Sequence, residues 1–138
     1  MIQNLNLPFW AYFERDASIG GAWVAHVLEL DLVTQGQSLS DAMEMARDAA
    51  LEIVLDDMQN GRNFRDRRAE PKYFDKLWEL LSSKPAQPVT AVVRDEKEFT
   101  KVGTQIVISL EIDDGCEAES LVEADAPPVA WTTTDKVA

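Results

Sequence analysis

Hydrophobic positions early in the chain fall in short runs separated by turn residues. In the middle of the chain they recur at helical spacing. Phe9-Trp10-Ala11-Tyr12-Phe13 is aromatic-rich and suits a pleated, half-buried strand. Asp16-Ala17-Ser18-Ile19-Gly20-Gly21 interrupts it with turn chemistry, and Ala22 to Leu28 resumes as strand. Leu30 to Gln35 gives a third short run, so the opening reads as an antiparallel meander that ends at Gly36. Ser38-Leu39-Ser40-Asp41 is a capping-box pattern, with Ser38 as N-cap and Asp41 at the third helical position. It predicts a helix from Leu39 to Asn60 that stops at Gly61. Leu39, Ala42, Met43, Ala46, Ala49, Ala50, Ile53 and Val54 form its apolar stripe, and the alanines allow close approach to a sheet.

Leu51, Leu55 and Met58 fall off that stripe, so a second helix or a second subunit is expected to cover them. The candidate follows a polar joint over Arg62–Glu70. Pro71 suits a first helical turn, and Tyr73, Phe74, Leu77, Trp78, Leu80 and Leu81 recur at helical spacing over about 71–82. Leu51, Leu55, Met58, Tyr73, Leu77 and Trp78 are therefore the candidate interface residues, between helices or between molecules. Further on, Val89–Val93 reads as a strand and Arg94–Lys101 as a turn or short helical piece. Gln105–Ile112 has Ile106, Ile108, Leu110 and Ile112 on one side, the pattern of a strand. Strands are thus expected at about 7–14, 22–28, 31–36, 89–93 and 104–112. The class is α+β, a small, mostly antiparallel sheet packed on one long helix, within a single domain over residues 1–112. Residues 113–138 are acidic and rich in small residues, and are expected to be mostly disordered.

Charge and composition narrow the function. The net charge is −12, of which the segment from Asp113 to the end carries −6. A nucleic-acid binder carries a basic footprint, and this chain as a whole repels phosphate. No run approaches the ~20 apolar residues that span a bilayer. The opening MIQNLNLPFW lacks the basic start and apolar run of a secretory signal. One cysteine, Cys116, and one histidine, His26, leave neither a disulfide framework nor a Cys- or His-rich zinc site. A cytoplasmic location is expected.

The run from Tyr12 to Gly61, about a third of the chain, resembles the HicB family of bacterial antitoxins. The resemblance rests on the opening Tyr12–Asp16, Gly20-Gly21 and Ala22–Ala25, on Val33-Thr34-Gln35-Gly36-Gln37-Ser38-Leu39-Ser40-Asp41-Ala42, and on the long helix ending at Gly61. It implies a β-β-β-α-β arrangement of partial RNase H-like type. It also implies a non-catalytic protein that masks a small basic, HicA-like toxin, itself an mRNA-cleaving ribonuclease. Where HicB relatives often carry a Pro/Gly/Cys turn, this chain has Leu28-Glu29-Leu30-Asp31-Leu32. Residues 71–138 contain no helix-turn-helix or ribbon-helix-helix segment, so operator DNA is not an expected partner. A homo-oligomer is expected, because small sheets of this kind leave edges to cover.

Two other readings are open. One is a metal-dependent nuclease of RNase H-like fold, which needs convergent carboxylates. Glu14, Asp16, Glu29 and Asp31 are the early candidates, and solvated turn residues are the favoured account of them. The other is an orphan HicB-like scaffold without a toxin. His26 has no evident nucleophile beside it, and Cys116 sits among acids that disfavour its thiolate. No glycine loop leads into a helix to cradle phosphate, and no cofactor is implied. Arg62, Arg65, Arg67, Arg68, Lys72 and Lys76 net +3 against nearby acids. They could meet nucleic acid or an acidic segment, but a solvated joint is favoured. Trp131 in the tail is either a docking motif or incidental.

Overall fold

The computed structural model describes residues 3–83, 85–112, 118–122 and 129–134. Strand β1 (Gln3–Asp16) turns through a short 3-10 segment into β2 (Ala22–Val27), and a second such turn leads to β3 (Leu32–Gly36). Helix α1 (Leu39–Gln59) follows, then the joint, then α2 (Pro71–Ser83). The two-residue strand β4 (Gln87–Pro88), the short helix α3 (Val89–Arg94) and strands β5 (Phe99–Ile112), β6 (Ala118–Val122) and β7 (Val129–Thr134) complete the chain. The strands form an antiparallel sheet ordered β3-β2-β1-β5-β7-β4, with β6 also on β5. The class is α+β, as the pattern of positions predicts.

The local signals act as expected. Ser38 Oγ accepts from Asp41 N at 3.0 Å, and Asp41 Oδ2 accepts from Gln37 N at 2.9 Å, so the first turn of α1 is capped from both sides. Gly61 has φ +68, the left-handed conformation that ends the helix. At Gly36 an added Cβ would sit 2.4 Å from Ala42 N, so only glycine lets the strand turn so closely into the helix.

β1 and β5 are longer than the hydrophobic pattern indicates, because they pair with each other from Gln3↔Ile112 to Glu14↔Lys101. β2 reaches β1 only from Ala11 on, and the Trp10 N–H beyond it is met at 2.7 Å by Glu29 Oε1. Pro8 has the same parity as Trp10, so its missing N–H faces this open side and leaves the ladder to β5 intact.

Two expectations are corrected. Val89–Val93 is not a strand but lies in helix α3, where Val89 and Val92, one helical turn apart, both enter the main core. A short apolar run does not distinguish strand from helix by itself. Within the tail, residues 118–122 and 129–134 are strands, against the expectation of disorder. β5 has β1 along one edge, and these segments pair with its other edge. The remainder of the tail, including Cys116, lies outside the described residues.

The two faces of the sheet are covered differently. Phe9, Ala11 and Phe13 of β1 join Trp23, Ala25 and Val27, the apolar stripe of α1, and Val89 and Val92 of α3 in the main core. Trp10 and Tyr12, of opposite parity, pack with Leu28, Ala69, Phe74 and Leu77 in a smaller cluster. Thus α1 and α3 lie on one face and α2 on the other. A polar clasp ties the larger face together: Glu96 Oε2 accepts from Trp23 Nε1 at 2.8 Å and from Leu39 N at 3.0 Å. Arg15 donates to the carbonyls of Glu96 and Phe99.

Candidate functional site

The smaller face holds the candidate site. Ala69 N donates to Leu28 O at 2.8 Å and delivers the chain to the start of α2. Leu77 is fully buried. A Cβ at Gly103 of β5 would come within 2.7 Å of Leu77 Cδ1 and 3.1 Å of Leu80 Cδ2, so the glycine lets α2 seat closely on the sheet. Beside this seat, Tyr12, Glu14, Val24, His26, Val33 and Lys76 help line a pocket of about 150 Å³.

The pocket's histidine is held from outside and from within the lining. His26 Nε2 lies 2.8 Å from Asp31 Oδ1, and the imidazole meets the Tyr73 ring edge-on at 4.8 Å between centroids. Asp31 occupies the left-handed region, φ +46, as no other non-glycine residue described does. Burial, then Glu14 and Glu79, push the Tyr12 hydroxyl up to about 12. It therefore enters the site as a neutral donor. On the same helix as Tyr73, Trp78 remains 48% exposed and stacks edge-on against Trp10 at 5.7 Å.

The early carboxylates are employed one by one. Asp16 accepts from Ser18 N at 2.9 Å and Ser18 Oγ at 2.6 Å, which lowers its pKa. Burial raises that of Glu29, against the pull of its bond from Trp10 N–H. Asp31 pairs with His26, and Glu14 borders the pocket. Among the described residues no three His, Cys, Asp or Glu side chains gather where they could hold a metal ion.

The six candidate interface residues do not form one surface. Tyr73, Leu77 and Trp78 share α2, with Leu77 facing inward and Trp78 outward. Leu51, Leu55 and Met58 pack against the main core on the other face of the sheet. The expectation that the second helix covers them is therefore corrected. Their core takes in Phe64 from the joint and Val89 and Val92 from α3 instead.

The basic joint contains a residue the sequence reading did not single out. Asp57 is 1% exposed. Arg67 Nε and Nη2 donate to its two oxygens at 2.6 and 2.9 Å, and Arg62 Nε adds a bond of 3.1 Å. The hydrogen bonds from Arg67, and then those from Arg62, hold its carboxyl at about 2. Its signal was an acid continuing the buried row Ala50, Val54, Asp57, followed by arginines five and ten residues on. Arg65 lies over Phe64, Arg68 over Phe74, and Lys72 and Lys76 near Tyr73. Much of the basic run thus serves packing and pairing.

The outward side of α1 differs in kind. Glu44, Asp48, Glu52 and Asp56 are all exposed and stand four residues apart, which aligns them along one side of the helix. Asp56 is also paired with Arg62, at 2.6 Å. No family model, curated protein or solved structure matches this chain. Among the described residues no helix is long and apolar enough to cross a membrane.

Proposed function

We propose that this protein is a non-catalytic binding module of HicB type, which covers the RNA-binding face of a small basic ribonuclease toxin. The observation that carries the reading is the acidic row Glu44, Asp48, Glu52 and Asp56. Like charges four residues apart weaken a helix by about 0.2–0.5 kcal/mol per pair, so beyond the pairing of Asp56 with Arg62 folding gives no reason to align them. A row of carboxylates on a rigid rod is the electrostatic counterpart of a phosphate backbone. A protein that binds RNA through Lys and Arg would meet it in place of its substrate.

Two further features support the reading. The resemblance over Tyr12–Gly61 coincides with the hairpin, the third strand and the capped helix. The separate employment of Asp16, Glu29 and Asp31 favours binding over the nuclease alternative, which needs carboxylates that converge. In this mechanism long-range attraction steers the toxin to α1, and the bulk of the sheet then blocks RNA.

The proposal requires a small basic protein encoded beside this chain, and the test is co-expression with that neighbour, followed by affinity capture and a growth assay. Growth should be restored and the two proteins should co-purify. A chain that neither captures its neighbour nor restores growth overturns the proposal.

A further inference from the structure

The sheet order ends at β3, and the register fixes which of its backbone groups point outward. The Trp10 N–H is directed away from β5, toward Glu29. In a strand, alternate residues point their N–H and C=O to the same side, so Tyr12 and Glu14 address β2. Tyr12↔His26 and Glu14↔Val24 are then hydrogen-bonded pairs. Trp23, Ala25 and Val27 turn the other way and meet Gly36, Thr34 and Leu32 of β3. That leaves the N–H and C=O of Val33 and Gln35 facing outward.

Among the described residues nothing blunts this edge. Leu32-Val33-Thr34-Gln35-Gly36 has no charge and no proline, in a chain of net charge −12. Its pairing with β2 runs without a bulge. Val33 is 61% exposed, above the other exposed large hydrophobic residues described, and it lines the pocket.

We infer that a second copy of this chain pairs antiparallel on β3, with the two-fold axis at Thr34. In that register Val33 stands opposite the partner's Gln35, and Gln35 opposite the partner's Val33. Each pair exchanges two hydrogen bonds, so the four outward groups of each strand are all satisfied. The register one step away, centred on Val33, fails. It would set Gln35 against the partner's Asp31, yet the N–H of Asp31 already donates to Leu28 O at 3.3 Å and its φ of +46 has left the strand. In the Thr34 register no like charges face each other across the strands. The two strips that meet are neutral, which suits an otherwise acidic chain to its own copy. Antiparallel partners share a face, so the partner's Gln35 lies beside Val33 and extends the pocket wall. The pocket then belongs to two copies. This inference does not depend on the toxin proposed above.

The experiment combines mass and cross-linking on the full chain. Sedimentation equilibrium over a concentration series should show a species of twice 15.4 kDa, favoured by added salt. Gln35→Pro removes an outward N–H without touching the ladder to β2, and Val33→Lys places a charge on the edge. Both should retain the native circular dichroism and sediment as monomers. In a Cys116→Ser background, Thr34→Cys should form an intermolecular disulfide readily, because non-hydrogen-bonded pairs bring Cα atoms to about 4.5 Å. Val33→Cys should cross-link poorly, since the two copies of that position are diagonal neighbours. A parent chain that stays monomeric throughout overturns the inference. So does a dimer that survives in the folded Val33→Lys or Gln35→Pro variant, or cross-linking that favours position 33.

Discussion

The two helix-covered faces of the sheet are built to different tolerances. On the face of α1, the critical contact is between backbones, since a Cβ at Gly36 would meet Ala42 N at 2.4 Å. On the face of α2, the critical contact is with side-chain ends, Leu77 Cδ1 and Leu80 Cδ2 against Gly103. The first face has a large apolar core. The second has a small one, supplemented by Arg68 over Phe74 and His26 against Tyr73, and it leaves Trp78 and a pocket open. The α1 face therefore sets stability, and the α2 face is the adaptable one.

Core truncations should separate the faces most sharply. Phe13 is fully buried in the main core, and Phe13→Ala should cost about 3–5 kcal/mol in a denaturant titration. Leu77→Ala should cost about 2 kcal/mol, the low end for Leu→Ala, because neighbouring side chains can relax into the space. Hydrogen exchange should show its loss of protection centred on α2, with β1 and β5 still protected. Equal costs and a uniform loss of protection would erase the distinction.

The glycines sharpen the same contrast at lower amplitude. Gly36→Ala should destabilise by about 1–3 kcal/mol, because backbone cannot yield to the new methyl. Gly103→Ala should cost less, since Leu77 and Leu80 can change rotamer. Comparable shifts in Tm for the two variants would contradict this.

The joint between the faces should respond more weakly, and to pH. Arg62 and Arg67 are about half exposed, so Asp57→Asn leaves cations that water can still solvate. The carboxyl of Asp57 is lowered from 3.8 to about 2 in the folded chain. Its contribution is therefore complete above pH 3.8 and disappears as pH falls toward 2. Asp57→Asn should lower the urea midpoint near neutrality, and the gap to the parent should close across that window. A gap that persists at pH 2 would assign the loss to packing instead.

How far these features could be read in advance follows from how local their causes are. The Ser38 cap, the turn at Gly20-Gly21 and the stop at Gly61 each depend on neighbours in sequence, and α1 ends within one residue of its expected limit. α2 is equally local, and Pro71 marks its start. Its seat is not local. The parity that sends Trp10 and Tyr12 to α2, and Phe9 and Phe13 to α1, appears only once the sheet is formed. Val89 and Val92 suit a strand by composition, and the core they enter makes them helical. The segments 118–122 and 129–134 read as acidic tail because their structure comes from pairing with the outer edge of β5, which 118–122 meets close in sequence and 129–134 about 30 residues away. Of the site, Tyr73 and Trp78 were legible from helical spacing. The Asp57 clasp was hidden among charges that read as a solvated joint.

The central claim is that the acidic row on α1 serves a partner rather than the fold. The measurement that tests it most directly is a paired one on Glu44→Gln/Asp48→Asn/Glu52→Gln, with denaturation midpoint and capture of the basic neighbour read from the same preparation. Relief of the three like-charge pairs, Glu44 with Asp48, Asp48 with Glu52 and Glu52 with Asp56, should hold or raise stability, by about 0.2–0.5 kcal/mol for each pair, while capture falls. A variant that captures its neighbour undiminished, or that unfolds more easily than the parent, would contradict the account.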